Sequence, residues 1–179
     1  MAIVGMNGRR SIGVDPAVVA AFEERLAHEP GSARVEFRVR AEWRGQMRTR
    51  ASVDSYTVGG RTIHRHFTVD ADQPFELLGR NTAPSPQELL LAAVTATLSA
   101  GYAAGAALRG IALERLEIEA STALDIRTAV ALGPAAPDDR VVRCIVRVKG
   151  DGTPEQLREI HEAVSLAAPV RIDARLIVE

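Results

Sequence analysis

Few residues in this sequence could carry chemistry, and the most reactive type, cysteine, occurs once. Cys144 alternates with Val142, Val146 and Val148, which is the spacing of the apolar face of a strand. We therefore expect a buried structural thiol and not a nucleophile. Thr97 could attack a substrate only beside an activating base, and the sequence identifies none. We expect its side chain to pack inside a helix.

Two histidines and one tyrosine are the other residues considered for chemistry. His64 and His66 are spaced to share one face of a strand and could bind a metal ion or transfer protons. The sequence places no carboxylate or third ligand beside them, so we interpret them as an exposed pair and expect no metal and no cofactor. Tyr102 could line a site cavity, but a core aromatic with a hydrogen-bonded hydroxyl is the simpler interpretation.

The strongest local signal is a long helix from Ser85 to Leu108. Ser85 is a good N-cap, Pro86 suits the first helical position, and Glu88 completes a Ser-x-x-Glu capping box. No charged residue occurs from there to Leu108, and Gly110 ends the helix.

The composition of this helix bears on its surroundings. It is long enough to span a bilayer, but Ala, Gly, Thr and Ser dominate it, which favours a helix buried all round in a soluble core. Gly101 and Gly105 would let another backbone approach closely. Because one face of a small sheet could not cover so apolar a helix, we expect an obligate dimer and no membrane contact.

Apolar periodicity and turn residues give the order of the remaining elements. Helices are predicted at 15–28, 85–108 and 153–168, and strands at 35–43, 47–53, 61–69, 113–122, 141–149 and 170–178, with a hairpin turn at Gly59-Gly60 and a loop at 133–139. This order predicts an α+β fold with mainly antiparallel strands. We expect residues 1–32 to form an N-terminal helical extension and residues 33–179 to form a single domain.

Composition narrows the class of partner and the compartment. The net charge of -1 argues against nucleic acid, which requires a basic surface. A single cysteine excludes an internal disulfide and fits a reducing compartment. The first residues lack the pattern of a signal peptide. We therefore expect a cytoplasmic protein.

Several segments together resemble the OsmC/organic hydroperoxide resistance (Ohr) family of bacterial thiol peroxidases. They are Pro84 to Thr97, Gly101-Tyr102, Ala106 to Ile111, Gly152 to Gln156 and Ala168 to Val170. The resemblance covers residues 43–178. It implies the OsmC-like fold, in which antiparallel sheets wrap around long central helices in an intertwined homodimer with two sites at the subunit interface.

The same resemblance implies a chemistry that this sequence does not support. The family uses a thiolate to attack the peroxide and a second cysteine to capture the resulting sulfenic acid. Thr97 stands at the first position and Ala168 at the second, and neither can be reversibly oxidised in this way. The family glutamate aligns with Gln87, and its arginine corresponds to Arg44 or Arg48.

Three functional hypotheses follow. The first is a cysteine-less homodimer that binds a small apolar or amphipathic molecule at its interface without peroxidase activity. The second is an enzyme of hydroperoxide detoxification with an unrecognised mechanism, and the third is a structural protein whose pocket is closed. The residues considered as pocket candidates are Gln87, Glu88, Thr97, Tyr102, Arg44 and Arg48.

Overall fold

The computed structural model describes residues 3–4, 10–11, 13–129, 132, 141–168 and 170–179. The loop predicted at 133–139 lies outside them. The chain divides into two compact units, one of Met1–Val19 with Leu91–Glu179 and one of Ala20–Leu90. The strands are β1 (Ile3–Val4), β2 (Arg10–Ser11), β3 (Val35–Phe37), β4 (Arg40–Trp43), β5 (Thr49–Val58), β6 (Arg61–Ala71), β7 (Leu113–Ser121), β8 (Val142–Gly150) and β9 (Ile172–Val178). The α-helices are α1 (Pro16–His28), α2 (Pro86–Leu108), α3 (Ile126–Ala129) and α4 (Pro154–Leu166).

The Ala20–Leu90 unit is built on a sheet with β5 at its centre. β6 pairs with β5 along its whole length, and β3 and β4 pair with opposite halves of β5. The single strand predicted over 35–43 is thus two strands, interrupted at Arg38 and Val39. Gly59 and Gly60 both have positive φ, as a two-residue hairpin turn requires, so the predicted hairpin is confirmed.

The turn between β4 and β5 starts the second strand later than predicted. Gly45 and Gln46 have φ of 89° and 54°, and the indole of Trp43 donates a hydrogen bond of 2.7 Å to the Gln46 carbonyl. The backbone of Arg44 donates to the carbonyl of Arg48 at 2.8 Å. Because residues 44–48 close this turn, the strand begins at Thr49 and not at Met47.

The second unit carries the three-stranded sheet β7-β8-β9. The first pair is antiparallel and the second is parallel, because α4 crosses between β8 and β9. The predicted α+β class with antiparallel sheets is confirmed, and β8–β9 is a parallel pairing within it. The core between this sheet and the helices contains Tyr102, Ala106, Ile111, Leu113, Val146, Val148, Leu157 and Ile160.

Two capping boxes define the starts of α2 and α4, as predicted. At α2, the Glu88 carboxylate accepts from the Ser85 backbone N–H at 2.6 Å, and the Ser85 hydroxyl accepts from the Glu88 N–H at 3.3 Å. At α4, the side chains and backbones of Thr153 and Gln156 make the same reciprocal pair. Gly110, with φ of 66°, follows the end of α2.

In this chain α2 is buried along one face. Val94, Leu98, Tyr102 and Ala106, spaced four residues apart, are each 2% exposed or less. Ala92, Ala93, Ala96, Thr97 and Ala100 are exposed on other sides of the helix. The prediction of burial all round is therefore wrong for the single chain, since this chain covers the helix on one side. By length and composition alone α2 could cross a membrane, a property it shares with core helices of soluble proteins.

The two glycines of α2 lie against α4. A Cβ at Gly101 would stand 3.0 Å from both γ-carbons of Val164, and one at Gly105 would stand 3.0 Å from Cγ2 of Ile160. A helix does pack closely at both glycines, but α4 contacts them with branched side chains, so the predicted approach of another backbone is wrong.

Replacing either glycine by leucine should destabilise the protein. Gly101→Leu and Gly105→Leu would each drive a side chain into α4, and overpacking of this kind costs about 1–3 kcal/mol. Urea denaturation should show the loss, whereas the control Ala21→Leu, on an exposed position of α1, should change the free energy of unfolding little. Unchanged denaturation midpoints for both glycine variants would mean that the α2–α4 contact is loose.

Candidate functional site

The two arginines named from the sequence line one pocket of the Ala20–Leu90 unit. We call it the arginine pocket, and its volume is about 280 Å³. It is lined by Arg44, Arg48, Thr49, Arg50, Asp70, Ala71, Thr82 and Ala83. Three guanidinium groups and one carboxylate thus surround the same small volume.

Arg50 and Asp70 face each other across β5 and β6. They are paired in the strand register, and the guanidinium donates to both carboxylate oxygens, from Nε at 2.7 Å and from Nη2 at 2.8 Å. These hydrogen bonds lower the pKa of Asp70. The two-point geometry holds the Arg50 side chain in one orientation. Sequence reasoning missed this pair, because the strand register brings together residues that are far apart along the chain.

The other two guanidinium groups are bound differently. Arg44 Nη1 lies 3.5 Å from a carboxylate oxygen of Glu42. Arg48 is half-buried; its Nη2 donates to the Arg44 carbonyl at 3.1 Å, and its Nε is buried without an acceptor. Among the residues that the structure describes, no carboxylate lies within 4.0 Å of Arg48. Arg48 is therefore the guanidinium of the pocket whose charge is not neutralised by an ion pair there.

A buried carboxylate fixes one wall of the pocket. Asp72 is 1% exposed and accepts from the backbone N–H groups of Gln73, Arg80 and Thr82 and from the Thr82 hydroxyl, at 2.8–3.2 Å. Burial alone would raise the pKa of Asp72, but these hydrogen bonds outweigh it, and the pKa is lowered. Asp72 thereby holds the segment from Gln73 to Thr82, and Thr82 lines the pocket.

Gln87 and Glu88 lie in the same unit, at the start of α2, and neither lines the arginine pocket. The Glu88 carboxylate accepts from both the backbone and the hydroxyl of Ser85, which lowers its pKa. Glu88 is thus engaged in capping, as the sequence indicated. Gln87 is half-buried.

Thr97 and Ala168 belong to the other unit and provide no reactive group. The Thr97 hydroxyl donates to the Ala93 carbonyl at 2.8 Å on an exposed side of α2. Ala168 packs against the cluster that contains Cys144. The prediction that Cys144 is buried is confirmed at 2% exposure. Burial, with a smaller contribution from the Asp173 carboxylate, raises the pKa of this thiol, which disfavours a thiolate.

Tyr102 is a core residue with a satisfied hydroxyl, as its simpler interpretation predicted. Its hydroxyl lies 2.5 Å from Nδ1 of His161, and Nε2 of that ring lies 3.1 Å from the Ala174 carbonyl. Since a carbonyl can only accept, Nε2 carries the proton, and in the neutral ring Nδ1 accepts from the tyrosine. Burial raises the pKa of Tyr102. Sequence reasoning missed His161, which nothing in the pattern of α4 distinguishes.

The histidine pair shows no metal-binding arrangement. Nδ1 of His66 lies 3.5 Å from the Asp54 carboxylate. Within the described ranges, no group of three or more His, Cys, Asp or Glu side chains could hold a metal ion.

Residues 79–172 match the sequence profile of the OsmC-like proteins. This match covers more than half of the chain, so the chain belongs to the OsmC-like family. None of the curated proteins matches the sequence.

Solved structures agree with this fold. An OsmC-like protein from Mycoplasma pneumoniae superposes with a TM-score of 0.59 at 13% identity, covering 80% of this chain and 96% of the other. A protein from Psychrobacter arcticus, described as an osmotic stress induced and detoxification response protein, gives 0.57 at 16% identity over 79% and 94%. An organic hydroperoxide resistance protein from Vibrio cholerae, with captopril bound in one of its active sites, gives 0.50 at 16% over 79% and 91%.

Removing the charge of Asp72 should loosen the pocket wall and change how the stability of the folded protein depends on pH. Because folding lowers the pKa of this carboxyl below its ordinary 3.8, the stability it contributes is complete above that value and is lost as the pH falls through the folded pKa. Asp72→Asn should lower the melting temperature at pH 7. Its melting temperature should also fall less than that of the wild type as the pH is lowered.

The exposed Asp54→Asn variant is the control for this prediction and should keep the wild-type profile. Identical pH profiles for Asp72→Asn and the wild type would show that the buried carboxylate does not hold the segment in its charged form.

Proposed function

We propose that this protein is a homodimeric, cytoplasmic OsmC-like binding protein without thiol peroxidase activity. It takes a small apolar or amphipathic molecule at the subunit interface that the family resemblance implies. The residue types at Thr97 and Ala168 and the exposed surface of α2 support this function.

The proposal rests on one observation, the hydrogen bond that the Thr97 hydroxyl makes within its own helix. Its hydroxyl proton is committed to the Ala93 carbonyl at 2.8 Å, and a hydroxyl cannot pass through the sulfenic acid stage that peroxide reduction requires. Ala168, the counterpart of the resolving cysteine, is a half-buried methyl group. Cys144 cannot replace either, because its thiol is buried and its pKa is raised.

The apolar character of the ligand follows from the surface around Thr97. The exposed neighbours on this helix are Ala93, Ala96 and Ala100, and no charge occurs between Leu89 and Leu108. Such a surface offers contact area without hydrogen-bonding groups, which suits an apolar molecule or the apolar part of an amphipathic one. The Vibrio cholerae relative holds captopril in one of its active sites, which supports an organic ligand for this fold.

The homodimer is supported by the apolar surface of the Ala20–Leu90 unit. Trp43, Phe37 and Phe67 are 75%, 68% and 58% exposed in the single chain. Several large apolar side chains exposed on one sheet are typical of a surface that a partner covers. A second copy of the chain is the partner that the family resemblance implies.

The alternative function is hydroperoxide detoxification by an unrecognised mechanism. The arginine pocket favours it, because Arg44 and Arg48 are the two candidates for the site arginine of the family, and both line one cavity. A reductant and an oxidisable group would then have to come from a partner thiol, since this chain offers only the buried Cys144.

The purified protein should not consume cumene hydroperoxide with dithiothreitol or dihydrolipoamide faster than its Cys144→Ser variant does. A Thr97→Cys variant should acquire a thiol that peroxide oxidises and dimedone traps, since a thiolate replaces a hydroxyl at the family position. Mass spectrometry of the dimedone adduct measures this gain.

The matched control places the new cysteine one turn away on the exposed part of the same helix, as Ala93→Cys. Equal dimedone labelling of both variants would show that position 97 has no special environment. Robust peroxidase activity of the unmodified protein that survives Cys144→Ser would overturn the proposal.

Light scattering at micromolar concentration should give twice the 19.2 kDa mass of the chain. Ala96→Arg should shift this equilibrium toward the monomer, because it buries a charge in the proposed interface. Ala21→Arg, on an exposed position of α1, is the control and should leave the mass unchanged. A stable wild-type monomer would contradict the dimer.

A further inference from the structure

The three guanidinium groups of the arginine pocket differ in their ion pairs. Arg50 is neutralised by the two-point contact with Asp70, and Arg44 lies 3.5 Å from Glu42. Arg48 has no such partner among the described residues, although it is half-buried. Arg48 is therefore the guanidinium without a direct ion pair, because the buried Asp72 in the pocket wall uses its oxygens to accept from Gln73, Arg80 and Thr82.

The hydrogen bonds of Arg48 are also incomplete. Nη2 donates to the Arg44 carbonyl, which is a neutral acceptor, and Nε is buried with no acceptor. Buried donors in folded proteins are nearly always satisfied, and a partly desolvated cation without an anion is costly. An anion that accepts from the remaining N–H groups of Arg48 would neutralise its charge and relieve the second of these costs.

We propose that the arginine pocket binds a carboxylate group, with Arg48 as its principal partner. A carboxylate carries a single charge, which matches the one unneutralised guanidinium, and its two oxygens fit the planar guanidinium edge. The fixed Arg50–Asp70 pair lines one side of the pocket, and Thr82 contributes a hydroxyl group to its lining. This inference rests on the proposed binding function, and it names a carboxylate as the polar group that the arginine pocket recognises.

The volume of the pocket agrees with a small acid group and a short stem. About 280 Å³ accommodates a carboxylate with a short alkyl stem. A phosphate monoester is tetrahedral and carries more than one negative charge near neutral pH, so it exceeds the charge that Arg48 supplies. The pocket should therefore distinguish a carboxylate from a phosphate as well as from an uncharged group.

Isothermal titration calorimetry with three probes of equal chain length tests the inference. Hexanoate should bind about tenfold more tightly than hexan-1-ol, the size of effect expected for hydrogen bonds to a charged group, and also more tightly than hexyl phosphate. Arg48→Gln should abolish the advantage of hexanoate over hexanol. Arg40→Gln, which removes the same charge from an exposed residue outside the arginine pocket, should preserve it.

A second readout keeps the test valid if Arg48→Gln folds poorly. In the wild type, hexanoate and not hexanol should shift the guanidinium resonances of Arg48, because only the carboxylate neutralises its charge. Arg48→Lys retains the charge but loses the planar edge, so it should recover only part of the preference.

The outcomes separate this inference from the function on which it rests. Equal binding of hexanol and hexanoate would overturn the carboxylate and leave apolar binding intact. Hexyl phosphate binding as tightly as hexanoate, or a preference that survives Arg48→Gln, would also overturn it. If no probe binds, the proposed function fails together with the inference.

Discussion

A helix without charge from Leu89 to Leu108 has to be covered by apolar surface, and this requirement shapes the unit that contains it. α4 can approach only because Gly101 and Gly105 leave room for Val164 and Ile160, whose side-chain carbons would stand 3.0 Å from a Cβ at either glycine. This contact covers one side of α2. The uncovered side carries Thr97, the residue on which the proposed interface and the proposed lack of thiol chemistry both depend.

The residue at position 97 bears differently on ligand binding and on peroxide reduction, which is why we propose the first function and not the second. A helix surface at a subunit interface can enclose a ligand whatever residue stands at position 97, whereas peroxide reduction needs sulfur there. In the other unit, Asp70 and Asp72 hold Arg50 and the wall at Thr82 in place around Arg48. A cationic pocket held by ion pairs and hydrogen bonds supports binding and requires no thiol.

Local signals predicted the elements of the fold but not their partners. Ser85 with Glu88 and Thr153 with Gln156 placed both capped helices, because a capping box is contained within four residues. The break between β3 and β4 at Arg38 and Val39 could not be predicted from the sequence, because the alternation of apolar residues continues through it. The pocket was predicted only as far as Arg44 or Arg48. The pairing of Arg50 with Asp70 across two strands could not be predicted, because it depends on the strand register.

Native mass spectrometry of the freshly purified protein tests the central claim, that an OsmC-like protein without site cysteines binds a ligand at its subunit interface. The account predicts a dimer that carries small molecules which do not exchange with the buffer, released on collisional activation with the polypeptide mass unchanged. A dimer of bare chains, or a monomer with or without ligand, would contradict it. So would a covalent oxygen adduct after mild peroxide treatment that maps to Cys144, since that thiol is buried.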